Sequence, residues 1–247
     1  MRALIALAVL SSGCDQLFQV DEIQIIDAPP GADANITDPP KFVSSGFRNF
    51  PDGELMTEVT VTMARVQAGH LLVVAVCEVP NDPIGGVTDN FTSNYVHAVS
   101  ADSAVASPSL AAQLFYGIAG GSGPAAITVH FPTIGANSVD VRVGEYANID
   151  PVAPFDDASG KSMLDATSVT TSVVVHAAPA LLVATTCVGD QSTGVDGFDT
   201  RVFTDPNGDL LADAIGATAS TEIAVGHEMS ASGMIVQLAA FRGSAAR

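Results

Sequence analysis

The chain has 247 residues, 27 acidic against 9 basic side chains, and a formal net charge of −18. The basic residues, Arg48, Arg65, Arg142, Lys161, Arg201 and Arg242 among them, are scattered, so no cationic footprint forms to neutralise phosphates and nucleic acid is excluded as the expected partner. Val, Ala, Thr and Ser dominate, Trp is missing and Lys is nearly absent, a composition that leans to sheet.

The N-terminus reads as an export signal. Met1-Arg2 is basic, Ala3 to Leu10 is apolar but too short to span a bilayer, and Ser11-Ser12-Gly13 puts small residues before Cys14. Small residues leading into a cysteine look like a bacterial lipobox, in which Cys14 is lipidated and becomes the mature N-terminus. Two features depart from that pattern: Ser11 stands where leucine is usual, and Leu10 lies one place early. The alternative is plain secretion with an ordinary Cys14. Lipidation would place the protein in the bacterial cell envelope, facing the periplasm or the exterior, with the membrane as its first partner. From Asp15 to about Asp27 acidic and apolar residues alternate, and from Ala28-Pro29-Pro30-Gly31 to Pro39-Pro40 turn formers follow without an apolar period, as a disordered tether does. The expected division is a signal peptide over 1–13, a lipidated N-terminus and tether over 14–40, and a single β-sandwich domain over 41–247.

Strand signals then recur in chain order. Thr57 to Met63 alternates, with Val59, Val61 and Met63 on one face. Leu71 to Cys77 is continuously apolar, which predicts a central strand covered on both faces. Tyr95 to Ser100 and Gln113 to Ile118 follow. Ile127 to Phe131 and Val139 to Val143 alternate cleanly, so each is expected to keep one wet or less buried face. Ser168 to Val175, Leu181 to Val188, Thr200 to Thr204, Thr221 to Val225 and Met234 to Phe241 complete the set. Leu210 to Ile215 is the best helix candidate, although the preceding Asp-Pro-Asn-Gly-Asp suits a hairpin turn as well. Short strands separated by turn residues predict an all-β, two-sheet antiparallel sandwich.

One internal echo stands out. His70 to Cys77 and Ala180 to Cys187 match in shape, each after a small turn and each with cysteine in the same place. Two equivalent central strands joined by a Cys77–Cys187 disulfide would fit an oxidising compartment. Two buried free thiols fit the same residues, since cysteine packs as a small hydrophobe.

Several segments resemble, in this order, a diffuse group of bacterial extracellular β-sandwich domains of uncharacterised function. They are Gly69-His70-Leu71-Leu72-Val73-Val74, Val87-Thr88-Asp89-Asn90, Leu114-Phe115-Tyr116 with Gly120-Gly121, Val129-His130-Phe131, Val143-Gly144-Glu145-Tyr146 and Gln237-Leu238-Ala239-Ala240-Phe241. The chain departs where similar domains often carry Trp ahead of the final Gln; Met234 occupies that region. The resemblance covers most of residues 41 to 243 and rests on packing residues. It implies a jelly-roll-like sandwich on a surface protein and no particular substrate.

Catalytic constellations are sparse. The histidines, at 70, 97, 130, 176 and 227, lack the close spacing of a zinc site, and Gly226-His227-Glu228-Met229 has no second His. Gly121-Ser122-Gly123 is a turn, not a nucleophile elbow. A jelly-roll glycanase would need two carboxyls facing across a groove; Glu145 follows an alternating strand, with Asp140 and Glu222 as weak partners. Sugar stacking would fall to Tyr95, Tyr116 and Tyr146. Asp205, Asn207 and Asp209 alternate like the start of a calcium loop, but Leu210 stands where that loop needs glycine; Asp196 and Asp199 sit in a second acidic loop. No catalytic residue is assigned, and calcium is the one candidate cofactor. The expected function is a non-catalytic, surface-anchored lipoprotein with a binding or adhesion sandwich, glycan being the candidate ligand. A structural envelope lipoprotein packed against protein partners is the alternative, and a glycan-cleaving jelly roll using Glu145 a third.

Overall fold

The computed structural model describes residues 38–50, 55–79, 84–99, 105–107, 110–131, 136–164, 167–189, 191–206, 208–216, 220–227 and 233–244. Chain contacts separate Met1–Ile36 from Thr37–Arg247, and the architecture is that of the second unit. The predicted signal peptide, Cys14 and the tether up to residue 37 lie outside the described residues.

Among the described residues every regular element is a strand. The first run comprises β1 (Lys41–Phe50), β2 (Glu58–Val66), β3 (Leu71–Val79), β4 (Gly86–Asp89), β5 (Val96–His97), β6 (Val105–Ser107), β7 (Leu110–Ile118), β8 (Gly123–His130) and β9 (Asn137–Ala147). The second comprises β10 (Phe155–Met163), β11 (Ser168–Val174), β12 (Ala180–Val188), β13 (Ser192–Val195), β14 (Asp199–Phe203), β15 (Leu210–Gly216), β16 (Ser220–His227) and β17 (Met234–Arg242). The first run forms a long sheet, β1-β9-β3-β7-β5, and a short one, β2-β8-β4, with β6 added beside β7. The second forms β10-β17-β12-β15-β14 and β11-β16-β13.

The chain is all-β with antiparallel sheets, but among the described residues the sheets are four, not the expected two. With β6 set aside, each run has the same internal order. Its first strand lies beside its eighth, then come the third, sixth and fifth, while the second, seventh and fourth make the smaller sheet. The correspondence reaches single residues. Leu71 pairs with Tyr146 as Leu181 pairs with Phe241, and Cys77 with Asp140 as Cys187 with Ile235.

Side-chain alternation explains how the sheets stack. In β3, Leu72, Val74 and Val76 join Val59, Val61, Ile127 and Val129 in a core against the short sheet of their own run. Leu71, Val73 and Ala75 point the other way and pack on Leu181, Val183, Ala239 and Phe241 of the second run. On its other face β12 sends Leu182 and Ala184 against Val169 and Val173. Both strands are therefore buried on both faces, which is why each reads as a continuous apolar run. Each fully buried Val or Leu contributes about 1.5–3 kcal/mol.

Two expectations are corrected. Leu210 to Ile215 is strand, not helix: it runs between β12 and β14, with Leu210 and Leu211 sealed on opposite faces. The polar face of β9 is not wet. Asp140 and Arg142 are 0% and 1% exposed, because a second long sheet covers the side that alternation alone assigns to solvent.

Candidate functional site

Two polar clusters meet on β9, one on each of its faces. Glu145, near the end of the strand, is 1% exposed. Ser44 on β1 donates to its Oε2 at 2.7 Å, while the Gln67 N–H at 3.0 Å and His70 Nδ1 at 2.7 Å reach Oε1. The tight turn between β2 and β3 delivers the last two. Gly69 takes a φ of 84° there, which costs a side-chain-free residue nothing, and the His70 N–H donates to the Gln67 carbonyl at 3.1 Å. The His70 side chain is 16% exposed. It borders a cavity of about 730 Å³ lined also by Pro39, Pro40, Lys41, Phe42 and Asn148.

The geometry sets a prediction. Glutamine at position 145 would keep the size but replace one acceptor oxygen by a donor, facing three donors already in place. Glu145→Gln is expected to lose about 1–3 kcal/mol of stability. A lower urea midpoint with an unchanged m value would report it; an unmoved midpoint would show the carboxylate to be dispensable.

The second cluster lies between the two long sheets. Arg142 Nε is 3.2 Å from Asp140 Oδ1, and its Nη1 donates to the Leu210 carbonyl on β15 at 2.5 Å. The Thr204 hydroxyl donates to Asp140 from the opposite run. Asp209, 0% exposed, accepts the Val188 N–H at 2.8 Å. Burial pushes the Asp209 carboxyl up to about 8; Arg142 pulls against this and the Asp140 charge adds to it. Asp140 is also raised, by burial first. In the same layer Cys77 and Cys187 form a disulfide with Cα atoms 5.2 Å apart, packed on Ala112 and Ile235. It ties β3 to β12, and so one long sheet to the other.

The sequence candidates fall out as follows. Glu145 and Asp140, five residues apart on a strand, occupy opposite faces and different clusters, so they make no catalytic pair. The side chains of Glu222 and His227 lie outside what is described, as does Asn207. Asp205 is exposed while Asp209 is sealed, so the two do not converge on one ion. Asp196 and Asp199 are exposed, and Asp199 is 3.0 Å from Arg201. No group of three or more His, Cys, Asp or Glu that could hold a metal occurs among the described residues. His130 bonds Thr88 at 2.8 Å, and Ser122 Oγ accepts the Ala68 N–H at 2.8 Å. The tyrosines are engaged in packing: Tyr95 donates to Asp89 at 3.0 Å, Tyr116 stacks on Phe155 at 5.5 Å, and Tyr146 is 0% exposed.

Sequence reasoning missed the His70–Glu145 contact. The partners stand 75 residues apart, and only the antiparallel pairing of β3 with β9, which sets the start of one beside the end of the other, brings them together. No protein-family model, curated protein or solved structure was found to match the chain.

Proposed function

We propose that this is an exported, lipid-anchored envelope protein whose sandwiches bind a partner without catalysis, an envelope glycan being the ligand. What carries the reading is the use made of the carboxylates. Glu145 is consumed by three donors from the strands and turn around it, and Asp140 by Arg142 and Thr204. A glycan hydrolase needs two carboxyls across one groove, and these two face away from each other. Export is supported by the Cys77–Cys187 disulfide, a bond that persists in oxidising compartments. The strand order repeated in each run supports reading each half as a jelly roll, a fold common among lectin-like domains.

The test is a binding screen of the whole exported protein on glycans and envelope polysaccharides, with calcium and with chelator. Retention on one glycan class is expected. Silence on every surface in both conditions would transfer the weight to a structural lipoprotein packed against protein neighbours.

A further inference from the structure

Resting on the binding reading above, this inference locates its ligand. We propose that the cavity beside His70 is a binding site for a neutral, hydroxyl-bearing ligand of about one sugar unit, which donates a hydrogen bond to Nε2 of His70. The buried Glu145 fixes the imidazole. Its Oε1 lies 2.7 Å from Nδ1, so Nδ1 is the nitrogen that donates to the carboxylate and Nε2 is the one left to meet a ligand. Ser44 and the Gln67 N–H hold the carboxylate in turn, so the ring is set before any ligand arrives. The cavity, about 730 Å³, has the size of a small-ligand site, and its walls mix apolar and polar groups as such sites do. Pro39, Phe42 and Val43 offer surface for the C–H face of a sugar ring, while Asn148 and His70 offer polar atoms.

Charge narrows the class. The wall carries both signs, Asp38 and Lys41, with the Glu145 carboxylate behind His70, so neither an anion nor a cation meets a wall of complementary charge. A neutral O–H donor suits the site from every side.

The experiment uses the full-length protein labelled with 15N, and reads the His70 imidazole by long-range proton–nitrogen correlation. Glucose, galactose and N-acetylglucosamine are added separately as probes at millimolar concentration. The expected result is a protonated Nδ1, a bare Nε2 whose signal moves with at least one probe, and binding weakened about tenfold or more by His70→Ala. Val43→Trp, at a rim position 43% exposed, should block the cavity without touching the Glu145 contacts and weaken binding alike. A proton on Nε2 instead of Nδ1, or an Nε2 signal unmoved by all three sugars, overturns the site. Glycan retention in the screen that survives both substitutions also overturns it, yet leaves the wider binding reading standing.

Discussion

Replacing both Cys77 and Cys187 by alanine should destabilise the protein by about 4–5 kcal/mol. The bond closes a sequence separation of 110 residues. In the chain-entropy account, a loop near that length restricts the unfolded ensemble by about 4.7 kcal/mol. Alanine refills the site imperfectly, since Cys187 is 0% exposed and packs on Ile235. The site also matters for cooperativity, because the bond joins β3 of one run to β12 of the other. Urea unfolding of the variant should show a lower midpoint, close to that of the parent held in reductant. A loss below about 1 kcal/mol would mean that the apolar layer between the long sheets holds the halves together unaided.

The strands that the sequence exposes most plainly are those with unusual burial. β3 and β12 read as apolar runs because each is covered twice, once by its own short sheet and once by the other long sheet. The shared cysteine is the visible trace of the repeated strand order. Elsewhere equivalent positions keep shape and not identity: Arg142 answers to Gln237, and Tyr146 to Phe241. The edge strands β1 and β10 escape sequence reading for the opposite reason. Their inward positions include Ser44 and Ser159, satisfied by Glu145 and Thr171 at 2.7 Å and 2.9 Å, so no apolar period survives. Leu210 to Ile215 is ambiguous at short range, and the neighbours β12 and β14 decide its state.

The same logic governs the site. An alternating strand such as Val139 to Val143 says that two faces differ, not that the polar one is wet. Here the polar face of β9 meets Thr204 and Leu210 from the other run, contacts that local pattern cannot anticipate. Acidic residues of the loop before β15 divide likewise. Asp205 stays outside and Asp209 turns in to receive the Val188 N–H, although both read as one calcium-like run. Burial, not spacing, separates a solvated carboxylate from a structural one.

Asp209 gives the second large prediction, one of pH. In this cluster two aspartates, Asp140 and Asp209, share one arginine, Arg142, so its charges are not balanced unless a carboxyl keeps its proton. Burial lifts Asp209 from 3.8 to about 8 in the folded state. A folded value above the unfolded one means that the folded protein binds the proton more tightly. The resulting stabilisation is complete below about pH 4, falls as pH rises through the interval, and is gone above about pH 8. A difference of about four, at about 1.4 kcal/mol each, amounts to on the order of 5 kcal/mol. Asp209→Asn keeps the shape and an oxygen for the Val188 N–H but cannot ionise. Its stability relative to the parent should therefore be similar at pH 4, rise towards about pH 8 and level off above it, as followed by urea midpoints from about pH 4 to 9. Parallel curves for the two proteins would mean that Asp209 is ionised in the fold, with Arg142 shared between both carboxylates.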